Sequence, residues 1–289
     1  MELWQIDTFE GGSASRARFL EKMAFSYQEK TSSVYVLVRS VELEQAKMLL
    51  QNGASPDMIS FGMGAGDFIE GIAKPMDLPQ NVRVDIASGG RKEGVHLAVP
   101  WCMGGYVLCN RQDIDFSDLD SFSESTELAV FGTGFAYNLP FRALNEGQSQ
   151  FLSKIKYSQY EAYEAFLKGN EFEVLLGTQR DFFRLNNKVK LGVEPSIKYT
   201  YLSGYTDLVQ YVAITTKNDA FVSVANDFVK YLTSDSVQKK LTSIGMFGVT
   251  EDTIYDDEYK DFELALKNKL QVMNVFVSNV WIKEEQDKC

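Results

Sequence analysis

The sequence predicts an α/β protein of two lobes joined by two extended crossings. Three observations carry this reading. A strand–helix alternation runs from "LWQID" to "GMGAG"; two long extended stretches, "VHLAVPWCMGGYVLCN" and "SGYTDLVQYVAITT", interrupt it; and the alternation restarts between them. Strand, helix, strand in this order builds a parallel sheet with right-handed crossovers. A chain that leaves one such unit and later returns to it makes two lobes with two connections.

Each element has a local reason. "LWQID" is a short strand ending in the polar turn "TFEGGS". From Ser13 to Lys30 the apolar residues Phe19, Leu20, Met23, Ala24 and Tyr27 recur at helical spacing. "SVYVLVRS" is a β-branched strand. Ser40 is placed to cap a helix bearing Leu43, Ala46, Leu49 and Leu50, which stops at Asn52-Gly53. "DMISFGMGAG" is a strand running into a glycine-rich loop. In the second unit come the strand "LAVFGT", a helix around "YNLPFRAL", the helix "YEAYEAFLKG" and the strand "FEVLLGT". From Asp219 onward the chain is largely helical. The expected division is residues 1–107 with 212–245 as the first lobe, 108–211 as the second, and 246–289 as a C-terminal helical segment packing near the hinge. Hinge bending is expected near Gly104–Leu108 and Leu208–Val212.

Composition narrows the function. The net charge is −11 and the 29 Lys and Arg are dispersed, which argues against a nucleic-acid partner. One His, His96, leaves no His-rich metal site; it reads as structural. Cys102 and Cys109 lie too far apart along one extended stretch to bridge, so neither a disulfide framework nor a Cys metal site is implied. No apolar run approaches the roughly 20 residues that cross a bilayer. Met1 is followed at once by "ELWQIDTF", with no basic region and no long apolar run. No catalytic residue, metal or cofactor is assigned: there is no Gly-x-Ser-x-Gly elbow, no Cys with a spaced His and no ligand cluster.

Four turns lie between a strand and a helix: "TFEGGSAS", "GMGAG", "GTGFAYN" and "GTQRD". Each presents backbone N–H groups at a helix N-terminus, where hydroxyl oxygens and anions are favoured. None is a phosphate loop, since "GMGAG" lacks the following Lys and Ser/Thr. Together they mark one cleft between the lobes.

The stretches "IDTFEGGSASRARFLEKMA", "GASPDMISFGMG", "VPWCMGGYVLCNR", "GTQRDFFRL", "YTDLVQYVAITT" and "FVKYLTSDSVQKKLTSIGMF" resemble, in order along essentially the whole chain, the extracellular solute-binding proteins of bacterial ABC transporters. The resemblance is to the group with the maltodextrin-binding, type 2 periplasmic-binding-protein-like fold. It implies a monomeric receptor that binds a small solute, a carbohydrate first and an anionic solute as the alternative, and delivers it to an ABC permease. It also implies export, with a hydrophobic leader ending in a lipid-modified Cys encoded upstream of Met1.

The expected ligand-binding residues are Gly11, Gly12, Ser13, Gly64, Trp101, Thr133, Tyr137, Gln179, Arg180, Asp181, Tyr205, Asp207 and Phe247. Arg180 offers a planar fork of donors to a carboxylate or vicinal hydroxyls, and Asp181 either accepts from hydroxyls or holds Arg180. Trp101 either stacks on a sugar face or packs in the core; Tyr137, Tyr205 and Phe247 carry the same pair of readings. Trp101 and Arg180 are expected on opposite sides of the cleft. Arg16 joins Arg180 in the anionic alternative, and Trp4 and Trp281 read as packing. Two other classes stand beside it: a carbohydrate hydrolase with paired carboxylates, and the sensing domain of a transcription regulator, which can share the architecture and for which no DNA-binding segment is present.

Overall fold

The computed structural model describes residues 1–9, 12–31, 34–111, 128–130, 159–168, 174–194, 196–251 and 257–280. In chain order, β1 (Glu2–Gln5) leads through α1 (Arg16–Thr31) to β2 (Leu37–Ser40), α2 (Leu43–Gln51) and β3 (Met58–Phe61). The short helices α3 (Gly66–Glu70) and α4 (Val84–Ala87) follow, then the hairpin β4 (Arg91–Lys92) and β5 (Val95–His96). β6 (Val99–Met103) and β7 (Tyr106–Asn110) come next, then β8 (Leu128–Val130), α5 (Gln159–Lys168), β9 (Val174–Thr178) and α6 (Gln179–Lys190). The chain continues through β10 (Lys198–Tyr201), β11 (Tyr205–Thr206), β12 (Val209–Ile214), α7 (Asp219–Leu232), α8 (Asp235–Gln238), α9 (Asp257–Lys267) and β13 (Gln271–Val272).

The first sheet has the order β2-β1-β3-β12-β6, and the second β10-β7-β9-β8. The parallel pairing expected of the first alternation holds for β1 with β2 and β3, and for β8 with β9. Strands that arrive through the crossings run antiparallel to their neighbours: β12 to β3 and β6, and β7 to β9 and β10. These are the two lobes.

The first crossing is not one continuous strand. β6 ends on the first sheet at Met103 and β7 begins on the second at Tyr106, so Gly104 and Gly105 alone make the passage. A Cβ on Gly104 would stand 2.3 Å from the Gln179 amide, and one on Gly105 would stand 2.7 Å from Leu266. A side chain at either position would have to displace Gln179 or Leu266. Cys102 and Cys109 consequently sit on different strands of different sheets, both buried thiols without a disulfide. The second crossing runs from β10 to β12, and it touches the first. The Gly104 amide donates to the Leu208 carbonyl (2.6 Å), Thr206 Oγ1 donates to the Gly104 carbonyl (2.9 Å), and the Tyr106 hydroxyl donates to Asp207 Oδ1 (2.5 Å).

Trp101 lies in the core of the first lobe, which corrects its expected place in the cleft. Its indole is fully buried, stacks on Phe19 at 5.9 Å and donates to Ser60 Oγ at 2.9 Å. Pro100 beside it is tolerated because β6 is the edge strand and its pairing with β12 shifts register between Gln210 and Tyr211. Trp4 is buried on β1, as its position implies. Ser40 does not cap α2: the residue in the capping position is Glu42, whose side chain makes no cap bond.

α6 starts with a complete capping box. Thr178 Oγ1 accepts from the Arg180 amide (3.2 Å), and Asp181 Oδ2 accepts from the Thr178 amide (2.9 Å). Asp181 is buried, and burial raises its pKa above the usual 3.8 despite the bonds from Thr178 and the nearby Arg184 and Arg180.

Two outcomes follow. Trp101→Ala is expected to lower folding stability by about 3–5 kcal/mol in urea denaturation, the cost of emptying a packed aromatic site; a loss under about 1 kcal/mol would mean that the ring is not core. Asp181→Ala should cost about 1 kcal/mol and Asp181→Asn less, because the amide oxygen still accepts from Thr178. A raised folded pKa contributes stability that is present below 3.8 and lost as pH rises through the folded value. Wild type should therefore lose ground against Asp181→Asn as pH rises from 3 toward 7, and an opposite trend would contradict the burial argument.

Candidate functional site

The end of β1 and the start of α1 form one wall of the cleft. Arg16, the first residue of α1, is only 4% exposed, and each of its guanidinium nitrogens donates a hydrogen bond. Nε donates to Asp7 Oδ1 at 2.8 Å, Nη1 donates to Gln210 Oε1 at 3.2 Å, and Nη2 donates to the Phe9 carbonyl. The group also lies 4.2 Å over the Phe9 ring. Gln5 Nε2 donates to the same Asp7 oxygen at 2.9 Å. Gln210 Nε2 donates to the Ile6 carbonyl and to Ser60 Oγ, which also accepts from Trp101. A hydrogen-bonded network thus runs from Asp7 at the surface to Trp101 in the core. Buried polar groups this well paired hold their positions firmly.

The opposite wall is the start of α6. Gln179 is fully buried; its Oε1 accepts from the Gly105 amide (3.1 Å) and its Nε2 donates to Met246 Sδ (3.3 Å). The Gln179 amide also donates to the Gly105 carbonyl at 3.0 Å. With Asp181 turned back on Thr178, Arg180 alone of the three polar residues faces outward, half-buried. Burial and the neighbouring Arg184 pull its pKa below the ordinary value, Asp181 opposing them.

Between the walls lies a cavity of about 410 Å³, lined by Asp7, Phe9, the run Gly12–Arg16 and Arg180. It joins the two lobes' helix N-termini across the cleft. Ser15 Oγ accepts from the Arg18 amide at 3.3 Å and the Ser13 amide donates to the Ile244 carbonyl at 2.8 Å, so the turn is fixed at both ends. The lining offers a carboxylate and two hydroxyls facing a guanidinium. Such a set orients a small polar solute by a few convergent bonds.

Of the residues expected from the sequence, Gly12, Ser13 and Arg180 come together on this cavity. Gly11, Thr133 and Tyr137 lie outside the described residues, as does Trp281. Gln179 and Asp181 serve the crossing and the helix cap. Trp101, Tyr205 and Phe247 are buried; Phe247 packs between Phe183 (6.5 Å) and Phe262 (4.9 Å), and none of the three presents a face to the cavity. Asp207 is buried as the acceptor of the Tyr106 hydroxyl. Arg16 belongs to the floor network. Gly64 is covered by the chain's own C-terminal segment: its amide donates to Ser278 Oγ at 2.9 Å. Asp7, Phe9 and Ser15 were missed, although all three fall in or beside the "TFEGGSAS" turn.

No family model matches the chain, and no curated protein matches it. Solved structures do. An ABC transporter protein from Clostridium perfringens superposes with a TM-score of 0.72 at 13% identity, covering 99% of each chain. The GacH receptor of Streptomyces glaucescens, solved unliganded and with acarbose, gives 0.68 at 13% identity over 99% of this chain and 91% of its own. Thiaminase I from Bacillus thiaminolyticus also gives 0.68, at 12% identity over 99% and 98%. At such identities the likeness is one of fold: the chain has the two-lobed, type 2 periplasmic-binding-like architecture found in solute-binding proteins of ABC transporters.

Proposed function

We propose that this protein is the solute-binding receptor of an ABC importer, taking a small carbohydrate into the interlobe cleft and passing it to a membrane permease outside the cytoplasm. The observation that carries the reading is the 410 Å³ cavity where Arg180 of one lobe faces Asp7, Ser13 and Ser15 of the other. A carboxylate and a guanidinium on opposite sides match the acceptors and donors of a sugar's hydroxyls. The volume suits a solute of one or two rings rather than a long chain. In this proposal the first lobe runs to Met103 and resumes at Val209, the second runs from Tyr106 to Tyr201, and residues 257–280 pack near the crossings, so the boundaries fall nearer the glycine pair than 107/108 and 211/212. Among the described residues no helix is long and apolar enough to cross a membrane.

An enzyme of the same fold is the second reading, since thiaminase I shares the architecture. Cys102 and Cys109 are poor nucleophiles for it, because both are fully buried and burial pushes their thiols well up. An anionic solute is the alternative cargo, with Arg180 as its counter-charge.

Incubation with a library of neutral sugars and sugar acids separates these readings. A receptor is stabilised by about 2.7 kcal/mol at a hundredfold excess over Kd and returns its ligand unchanged; product formation would make it an enzyme, and no stabilisation by any neutral sugar would overturn the carbohydrate assignment. With the solute so found, Arg180→Ala is expected to weaken binding about tenfold or more, and Arg180→Lys nearly as much, because a point charge does not reproduce the planar fork. Calorimetry reads both. Wild-type affinity in the two variants would remove Arg180 from the site.

A further inference from the structure

The stretch from Phe262 to Ser278 touches both lobes and the second crossing. On α9, the Phe262 ring packs at 4.7 Å on Tyr201 and 5.6 Å on Phe182 of the second lobe, and at 4.9 Å on Phe247. Phe262 and Leu266 together close over Gly105. At the end of α9 the chain meets Arg83 and Asp85, which bracket the start of α4 in the first lobe. Arg83 is 7% exposed. It donates to the carbonyls of Leu266 and Asn268 and to both oxygens of Asp85, and Asp85 Oδ2 in turn accepts from the Leu270 amide at 3.0 Å. One buried ion pair therefore binds three backbone groups at the helix end, where a cation is favoured.

β13 then pairs in parallel with β11 in the second crossing, the Gln271 amide donating to the Gly204 carbonyl at 3.1 Å. Beyond it the Val275 amide donates to the Gly89 carbonyl (2.9 Å), and Asn274 Nδ2 to the Arg91 carbonyl (2.6 Å). The backbone presses on the glycine-rich turn so closely that a Cβ on Gly66 would stand 2.1 Å from the Val275 carbonyl oxygen. The segment is buried along this path at Leu270, Met273, Val275, Phe276 and Ser278.

We propose that residues 262–278 form a strap that sets the resting relation of the two lobes, with Arg83 and Asp85 as its mooring. The strap is a third link between lobes that the two crossings already join. Because β13 lies against β11, a change of angle at the second crossing must slide or break that pairing, and the mooring resists it. Domain rotations are absorbed at a few element-terminal residues, and here those residues are held from outside by the strap. The proposal rests on the two-lobe fold and not on the identity of any solute.

Hydrogen-exchange mass spectrometry on the full chain without ligand tests it, with small-angle scattering on the same samples. The variants are the double substitution Arg83→Met with Asp85→Asn, which leaves no orphaned charge, and Gln271→Pro, which deletes the amide donor to Gly204. Each should speed exchange about tenfold at residues 204–208 and 270–278 while β3 and β9 keep wild-type rates, the pattern of a local opening, and each should shift the scattering profile. Unchanged exchange at 204–208, or an unchanged profile alongside local opening, would overturn the proposal. Equal acceleration in β3 and β9 would also overturn it, by showing the ion pair to be general scaffolding; if the double variant fails to fold, Gln271→Pro alone decides. A protein that binds no sugar would leave this result intact.

Discussion

The architecture depends on the passage of Gly104–Gly105 between two lobes, pressed close by the Gln179 and Leu266 side chains. Gln179 meets both peptide groups of Gly105, as acceptor from its amide through Oε1 and as donor to its carbonyl through its own backbone. The first residue of α6 is thereby bonded to the crossing itself, so the helix start and the chain path are fixed by the same contacts. The second crossing is bonded to Gly104 from the other side through Leu208 and Thr206. Whatever angle the lobes take, the N-terminus of α6 is placed by this junction, and Arg180 is placed with it.

Electrostatics explain why the residues around Arg180 are unavailable to a solute. A buried charge is tolerable only when it is paired and hydrogen-bonded. Arg16 meets that condition with Asp7, Gln210 and the Phe9 carbonyl, and Arg83 meets it with Asp85 and two carbonyls. Asp181 meets it only partly: Oδ2 is bonded and Oδ1 is a buried oxygen with no partner among the described residues. The helix N-terminus around it, whose dipole favours a negative charge, makes this tolerable. The folded state thus spends most of its polar groups near the cleft on one another, and the cavity keeps a short list of donors and acceptors.

The sequence made the two sheets legible because hydrophobic period and turn residues are local properties. The alternation located β1, β2, β3 and β9 with the helices α1, α2 and α5, and two of the four glycine-rich turns, "TFEGGSAS" and "GTQRD", open helices whose first residues line the cavity. Trp101 was misplaced because an extended run containing Pro100 looks like an exposed connection. It is covered by partners distant in sequence, the Phe19 ring on α1 and Ser60 on β3, which no local pattern around Pro100 encodes. Gln179, Arg180 and Asp181 were correctly singled out as unusual, yet two of the three answer to partners at Gly105 and Thr178 rather than to a ligand. Gly64 was lost to the C-terminal segment, a contact spanning 214 residues that no local pattern encodes.

That last contact bears on what the cleft can hold. In an open α/β sheet a ligand is expected beyond the carboxyl ends of the strands, and in the first lobe the candidates are the ends of β1 and β3. The end of β3 is taken by Val275, Phe276 and Ser278, with Phe276 and Phe61 rings 6.2 Å apart. Among the described residues the end of β1 is not covered in this way, and it carries Asp7, Phe9 and the entry to α1. The same chain segment that links the lobes therefore restricts the first lobe's share of the site to one turn. A fold shared by receptors and an enzyme leaves its chemistry to such restrictions, and in the receptor proposed above they leave one carboxylate, two serines and the arginine opposite as the groups that would meet a solute.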